Sequence, residues 1–323
     1  MTERNRKNFY KYTANLVWET ATNSWVQNLF TDEKIKKLAK RKNGNKIFNF
    51  CQRLRFLFTR KPIIPVLEYA VTTRCTMNCK HCNTFVPYFT KETHAKIATF
   101  EEFKKDIDKL LKAVDYIYCF GFVGGEPLLA KELDKMLKYA LSKKQIKHVF
   151  IATNCTILPS QELLDAMKNK KFVIRTSNYS NVTNIKGGVT VKYEEFKKLI
   201  KENNITLSDP QSNGNTWISP PKLFVDSQNS NLLTKKYSEC WGKFCNTLCN
   251  GQILPCAPAI YINNNMNLSD EIKEEMVDIR TEKSTRKITK KLISFYSQPY
   301  SNYCHYCHMD NLEYNLPCGE QLI

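Results

Sequence analysis

No run of eighteen or more apolar residues occurs in this 323-residue chain, so it offers no candidate membrane-spanning helix. The first residues, Met1-Thr-Glu-Arg-Asn-Arg-Lys-Asn, lead into no signal-like apolar stretch, and the expectation is a cytoplasmic protein. Acidic residues are short: 31 Asp and Glu stand against 49 Lys and Arg, a net charge of +18. Such an excess raises nucleic acid as a partner. No RNA-binding signature or aromatic-basic repeat accompanies it, and the surplus is mostly lysine spread along helices beside abundant Asn and Ile. Glycine is scarce too, at ten residues, so the charge reads as a compositional bias carried on solvated helix faces, and nucleic acid is not the expected partner.

What the chain does have is cysteine, thirteen in all. In a reducing compartment that many thiols argue for metal ligation over disulfides. The 42% hydrophobic content suffices for one sizeable core and a small second one, hence a catalytic domain with an appendage.

Three stretches divide the chain. Residues 1–62 form a basic, helical extension with Leu16, Val17, Trp25, Val26, Leu29 and Phe30 at helical spacing. Its end, residues 47–61, mixes Phe and Leu with Arg and Lys. A membrane-surface helix is one reading of that mixture. A helix packed across the open side of the following domain is the expected one. From residue 63 to 235 the pattern alternates. Strands are expected at Pro65 to Val71, Tyr116 to Val123, His148 to Thr153, Phe172 to Ser177 and Ile205 to Leu207. Amphipathic helices fall between them at Phe100 to Val114, Ala130 to Leu141, Gln161 to Lys168 and Tyr193 to Glu202. A βα repeat implies a parallel sheet, and in a βα barrel the C-terminal strand ends form the active face. Residues 236–323 are a small cysteine-rich extension.

Directly after the first strand stand Cys75, Cys79 and Cys82, separated by three and then two residues. Two chemistries compete for such a triplet. Structural zinc wants four closed ligands, commonly as two separated pairs. A 4Fe-4S cube takes one cysteine per iron, so three thiolates leave one iron open to an outside ligand. The next strand ends in Gly124-Gly125-Glu126-Pro127. Alone that tetrapeptide is a tight turn before a helix; glycine there also lets backbone approach a ligand closely.

In that order and at that distance, the triplet and Gly-Gly-Glu-Pro resemble the radical S-adenosylmethionine (SAM) superfamily, and a zinc module has no use for the second motif. The resemblance spans about Leu67 to Pro210 and implies an α/β fold, a partial six-unit TIM-type (β/α) barrel. It implies that Cys75, Cys79 and Cys82 hold a catalytic 4Fe-4S cluster, and that Gly124, Gly125, Glu126 and Pro127 bind SAM, Glu126 meeting its amino group. Thr153 and Asn154 after the third strand, with Arg175, Ser177 and Asn178 on the fourth, are the further candidates for the SAM carboxylate and ribose. An adenine-binding motif is not recognisable in Asn204 to Asp209. A reductant such as flavodoxin or ferredoxin is the implied partner.

After Cys240, ten residues precede Gly251 and four more precede Cys256; Cys304 and Cys307 stand far downstream. This resembles the SPASM and twitch extensions of radical SAM enzymes, in which a hairpin places cysteines on an auxiliary 4Fe-4S cluster. Asn250-Gly251 is itself a strong hairpin-turn dipeptide. Spacing favours Cys240, Cys256, Cys304 and Cys307 as ligands, with Cys245 as a substitute for one of the late pair. Cys51, Cys119, Cys155, Cys249 and Cys318 read as core or surface thiols. A zinc site of Cys304, Cys307 and His305 or His308 remains the alternative. The expected function is that of a radical SAM oxidoreductase acting on a sugar-like alcohol or a peptide; the contrasting class is a non-catalytic cysteine-rich zinc or iron-sulfur binding protein.

Overall fold

The structure is a computed structural model and describes residues 17–22, 30, 32–182, 185–209, 216–224, 229–309 and 312–322. Leu16, Trp25, Val26 and Leu29 lie outside them. After a helical stretch at residues 17–22 come α1 (Glu33–Ala39) and α2 (Gly44–Thr59). Asp32 caps α1 by accepting from the Lys34 and Ile35 amides, and Arg60, in the left-handed region, closes α2.

The βα repeat follows as β1 (Ile64–Thr72), α3 (Phe100–Ala113), β2 (Ile117–Gly124), α4 (Leu133–Ser142), β3 (Ile146–Thr153), α5 (Gln161–Met167), β4 (Phe172–Thr176), α6 (Tyr193–Glu202) and β5 (Leu207–Ser208). Each element expected from periodicity is found within a few residues of its place. β1 is buried along nearly its whole length, as a strand covered on both faces must be. α3 starts where Thr99 and Glu102 form a reciprocal capping box, and its Phe103, Ile107, Leu110 and Leu111 make one apolar face against the sheet.

Beyond β5 come β6 (Thr216–Trp217), β7 (Lys222–Leu223), α7 (Ser230–Glu239), β8 (Cys245–Cys249), β9 (Gln252–Leu254), α8 (Pro258–Asn265), α9 (Asp270–Glu275), β10 (Val277–Asp278), α10 (Thr285–Phe295), β11 (Cys307–His308) and β12 (Leu316–Pro317). The main sheet has the order β10-β9-β8-β1-β2-β3-β4-β5. Its six strands from β8 to β5 run parallel. The sixth of these arises from the cysteine-rich segment and pairs with the free edge of β1, Val66 opposite Cys245, so the sheet continues unbroken across residue 236. The expected hairpin is β8-β9, turned at Asn250 and Gly251, both with positive φ.

The largest core lies between the sheet and α3, α4, α5, α6 and α10. A second apolar group, with Phe30, Phe48, Val66, Cys119, Phe150 and Val173, fills the sheet's inner face near the strand starts. α2 is fixed at that same end: Arg55 pairs with Asp115 and Gln52 accepts from the Tyr116 hydroxyl, immediately before β2. The helix thus packs on the sheet at its strand-start end, away from the cysteine loop.

Candidate active site

Strand ends β1, β2 and β3 converge on one backbone junction. The Gly125 amide donates to the Thr72 carbonyl (2.8 Å) and the Glu126 amide to the Arg74 carbonyl (2.9 Å), so the end of β2 is laced to the chain entering Cys75. A Cβ on Gly124 would stand 2.1 Å from the Thr72 oxygen, and one on Gly125 1.9 Å from the Arg74 oxygen. The glycines therefore admit the cysteine loop's own backbone.

Glu126 is fully buried. Its carboxylate accepts from the Thr153 hydroxyl (2.9 Å), the Asn154 amide (2.9 Å) and the Leu128 amide (3.0 Å). Burial pushes this carboxyl up to about 7, and the three donors hold it down. With those partners in place it works as a knot between β2 and β3, and Pro127 opens the short 3-10 turn behind it.

Two of the three thiols have a protein donor and the third lies beside a hydroxyl. Cys75 Sγ receives the Met77 amide (3.4 Å) and the Asn154 side-chain amide (3.4 Å), Cys82 Sγ lies 3.2 Å from the Thr84 hydroxyl, and Cys79 Sγ receives the Gln321 side-chain amide (3.7 Å). Burial raises the thiols of Cys75 and Cys79, the latter to about 12, and each is raised further by the neighbouring cysteines. Buried, mutually repelling sulfurs that already have hydrogen-bond donors fit ligation as thiolates, since the metal supplies the missing positive charge.

Asn154, expected near SAM, contacts Cys75 and Thr76 through its side chain. Asn178 accepts from Ser180 within its own turn, and Ser177 bonds to Tyr179. Arg175 points into the sheet interior, where its charge acts on Glu68 of β1 and on Cys245. Burial pushes the Glu68 carboxyl up to about 7 against the pull of Arg175. A cavity of about 550 Å³ opens beside Cys75, with Arg74, Lys91 and His94 in its wall.

Apart from Cys318, read as a core or surface thiol, the C-terminal segment escaped sequence reasoning. It crosses the cysteine loop as a short strap: the Lys80 amide donates to the Glu320 carbonyl (2.7 Å), the Asn78 amide to Gln321 Oε1 (2.9 Å) and the Leu322 amide to the Asn78 carbonyl (2.7 Å). Lys80 and His81 both pair with Glu320. Cys318 joins Met77, Cys79 and Tyr179 in one apolar group. No motif marks Gln321, and 242 residues separate it from Cys79.

The second cysteine set also gathers. Cys256 lies within electrostatic reach of Cys307, Cys240 and Cys304, and burial with that repulsion raises its thiol well above the ordinary value. A Cβ on Gly242 would stand 3.6 Å from Cys240 Sγ and 3.7 Å from Cys256 Cβ. The Gly242 and Lys243 amides bond to Cys240. Cys245 is turned toward Glu68 and Cys119. Among the described residues no three Cys, His, Asp or Glu converge tightly enough for a single metal ion. A cube is less demanding, because its thiolates bind different irons.

These features can be set beside known proteins. A GTP 3',8-cyclase of Clostridium botulinum (strain Okra / Type B1) is 25% identical over 256 residues, 76% of this chain and 77% of its own length. That of Clostridium acetobutylicum is 27% identical over 159 residues, 45% of this chain and about half, 48%, of its own length. Among solved structures, native anSMEcpe with bound AdoMet gives a TM-score of 0.49 at 14% identity, covering 80% of this chain and 93% of that one. BtrN in complex with AdoMet and 2-DOIA gives 0.41 at 17%, covering 72% and 89%. A model of the radical SAM superfamily matches residues 69–205. The match opens inside β1 and closes just before β5, taking in both loops that the backbone laces together, so the βα core, less than half of the chain, is what resembles the radical SAM superfamily, whose enzymes work with a 4Fe-4S cluster and SAM.

Proposed function

We propose that the chain is a radical SAM oxidoreductase with two clusters, the first on Cys75, Cys79 and Cys82 and the second on Cys240, Cys256, Cys304 and Cys307. When bound, these groups supply hydrogen-atom abstraction by a 5'-deoxyadenosyl radical and a place for the electron that substrate oxidation releases. The protein's own part is placement. Gly124, Gly125 and Glu126 hold the triplet loop against β2 and β3, and Asn154 aims its amide at Cys75. Arg175 and Glu68 give the sheet interior an oppositely charged pair suited to a polar, ionisable substrate such as a sugar derivative or a peptide. Cys245, beside that pair and within reach of Cys256, links the interior to the second set.

The observation that carries the two-cluster reading is the gathering of Cys240, Cys304 and Cys307 around Cys256. Its test is the metal content of the variant lacking Cys75, Cys79 and Cys82. About four irons per chain and a spectrum that SAM does not perturb are expected. About one zinc and no iron would leave a structural zinc knuckle and a redox-neutral reaction.

The similarity to enzymes named GTP 3',8-cyclase favours a second reading, in which the substrate is a purine nucleotide. Anaerobic incubation with GTP, SAM and reductant separates the two: consumption of GTP with SAM cleavage supports the nucleotide, and cleavage unaffected by GTP removes it.

A further inference from the structure

Helix α2 has two apolar faces, and the fold uses one. Phe48 and Phe56 are buried, and Gln52 and Arg55 bond to Tyr116 and Asp115, so the inward arc is fixed to the start of β2. On the opposite arc Ile47 (42% exposed), Phe50 (61%), Leu54 (39%), Leu57 (42%) and Phe58 (86%) face solvent, five large apolar side chains at spacings of one, three and four residues. At 1.5 Å per residue the 16-residue helix is about 24 Å long, so this is a continuous ridge rather than a scatter of single exposed residues.

Charge identifies what the ridge meets. Residues 34–67 contain eleven Lys and Arg and no Asp or Glu, more than half of the net charge of +18 in a tenth of the chain. A uniform compositional bias does not produce that concentration. On a helical wheel Lys46 and Arg53 flank the apolar arc on one side. Neither helix α2 nor the turn that leads into it carries an acid. An apolar ridge bordered by cations, on a helix held parallel to the protein surface, is the form that lies in the boundary between lipid headgroups and acyl chains.

We propose that the outer face of α2 binds an anionic phospholipid bilayer, Phe50, Leu54, Leu57 and Phe58 entering the headgroup boundary and the 34–61 cations other than the inward-facing Arg55 meeting lipid phosphates. No described helix is long and apolar enough to cross a membrane, so attachment is to the surface alone. α2 sits at the strand-start end of the sheet and the cysteine loop at the other. Bilayer attachment consequently leaves the site mouth turned to water, available to a water-soluble substrate and to a reductant. This holds whichever substrate the site takes.

The test is flotation of the full chain with vesicles of phosphatidylcholine containing phosphatidylglycerol, and with phosphatidylcholine alone. Binding to the anionic vesicles only, weakened by salt, is expected. Phe50→Ser with Phe58→Ser should weaken binding by about tenfold or more with an unchanged melting temperature, because neither ring has a core neighbour to lose. Lys46→Glu with Lys42→Glu should weaken it as well and keeps the test alive should the serine variant misfold. No vesicle binding, or equal binding by both variants, overturns the proposal. So does a wild-type dimer that the serine variant converts to monomer, which would assign the ridge to a second copy of the chain.

Discussion

The two cysteine sets are assembled in opposite ways. Cys75, Cys79 and Cys82 come from eight consecutive residues, and the chain around them is held by backbone bonds from β2 and from the C-terminal strap. Cys240, Cys256, Cys304 and Cys307 come from the end of α7, the segment after β9, the turn before β11 and the start of β11 itself. One set is a local loop braced from outside; the other exists only when distant elements dock. Backbone abuts the first loop, where a Cβ on Gly125 would stand 1.9 Å from a carbonyl, while a Cβ on Gly242 beside the second set meets nothing nearer than 3.6 Å, and each prediction below strikes at the contrast between the sets.

The largest effect is expected from the thiols. Replacing Cys75, Cys79 and Cys82 by Ala should abolish SAM cleavage while iron remains on the second set. Cys256→Ala, which removes the sulfur the other three surround, should take the second iron away and leave SAM cleavage measurable. Iron analysis and 5'-deoxyadenosine release check both. If Cys256→Ala also loses cleavage, the sets are not separable and the comparison fails.

Next come the glycines. In Gly125→Ala the new methyl must displace the Arg74 carbonyl from 1.9 Å, a backbone atom that cannot move without taking Cys75 along. A loss of about 2–3 kcal/mol in stability and of most cluster retention is expected. Gly242→Ala meets only the Cys240 sulfur at 3.6 Å and Cys256 Cβ at 3.7 Å, ordinary contacts, and should melt like the parent. Thermal denaturation of the two variants decides it; equal destabilisation would erase the difference in packing.

A smaller effect belongs to Glu126. All three of its bonds come from donors, so Glu126→Gln puts an amide NH₂ against a backbone N–H at Asn154 and should cost about 1–3 kcal/mol. The same burial gives a pH dependence. The folded carboxyl sits at about 7 against 4.5 for the free group, so the folded state binds the proton more tightly. Stability from this residue is complete below about 4.5 and declines as pH rises toward 7, and the Gln variant should lack that slope. Melting temperatures of parent and variant between those limits provide the check.

How much of this was legible follows from how far apart the partners are in the chain. The βα repeat could be read because Phe103, Ile107 and Leu110 repeat at helical spacing and because β1 and β2 are short apolar runs bounded by turns. The triplet and Gly124 to Pro127 could be read because each is contiguous. The role of Gly125 could not, since its neighbour is Arg74 on another loop, and sequence supplies the glycine without the atom it makes room for. β8 as the partner of β1 was equally hidden: Cys245 to Cys249 has hairpin chemistry on one side only, and nothing in it names Val66. Arg175 shows the other limit. A polar residue on β4 could be read as a candidate to reach a ligand, but its protein partner could not: an acid on β1, with two strands between them in the sheet, faces it across the interior.

The smallest effect tests the strap. Gln321 accepts from the Asn78 amide through Oε1, which fixes the amide's orientation and turns Nε2 toward Cys79 Sγ and the Gly319 carbonyl. A hydrogen bond to a cluster sulfur withdraws negative charge and so eases reduction. Gln321→Met keeps the length and loses all three polar contacts. The midpoint potential of the first cluster should then move to more negative values, while iron content and SAM affinity hold, because Lys80 and Asn78 still pair with Glu320 and Leu322. A redox titration followed by electron paramagnetic resonance reads the shift. An unchanged potential would mean that the strap braces the loop mechanically and leaves its electronics alone, making the two cysteine sets more alike than their assembly suggests.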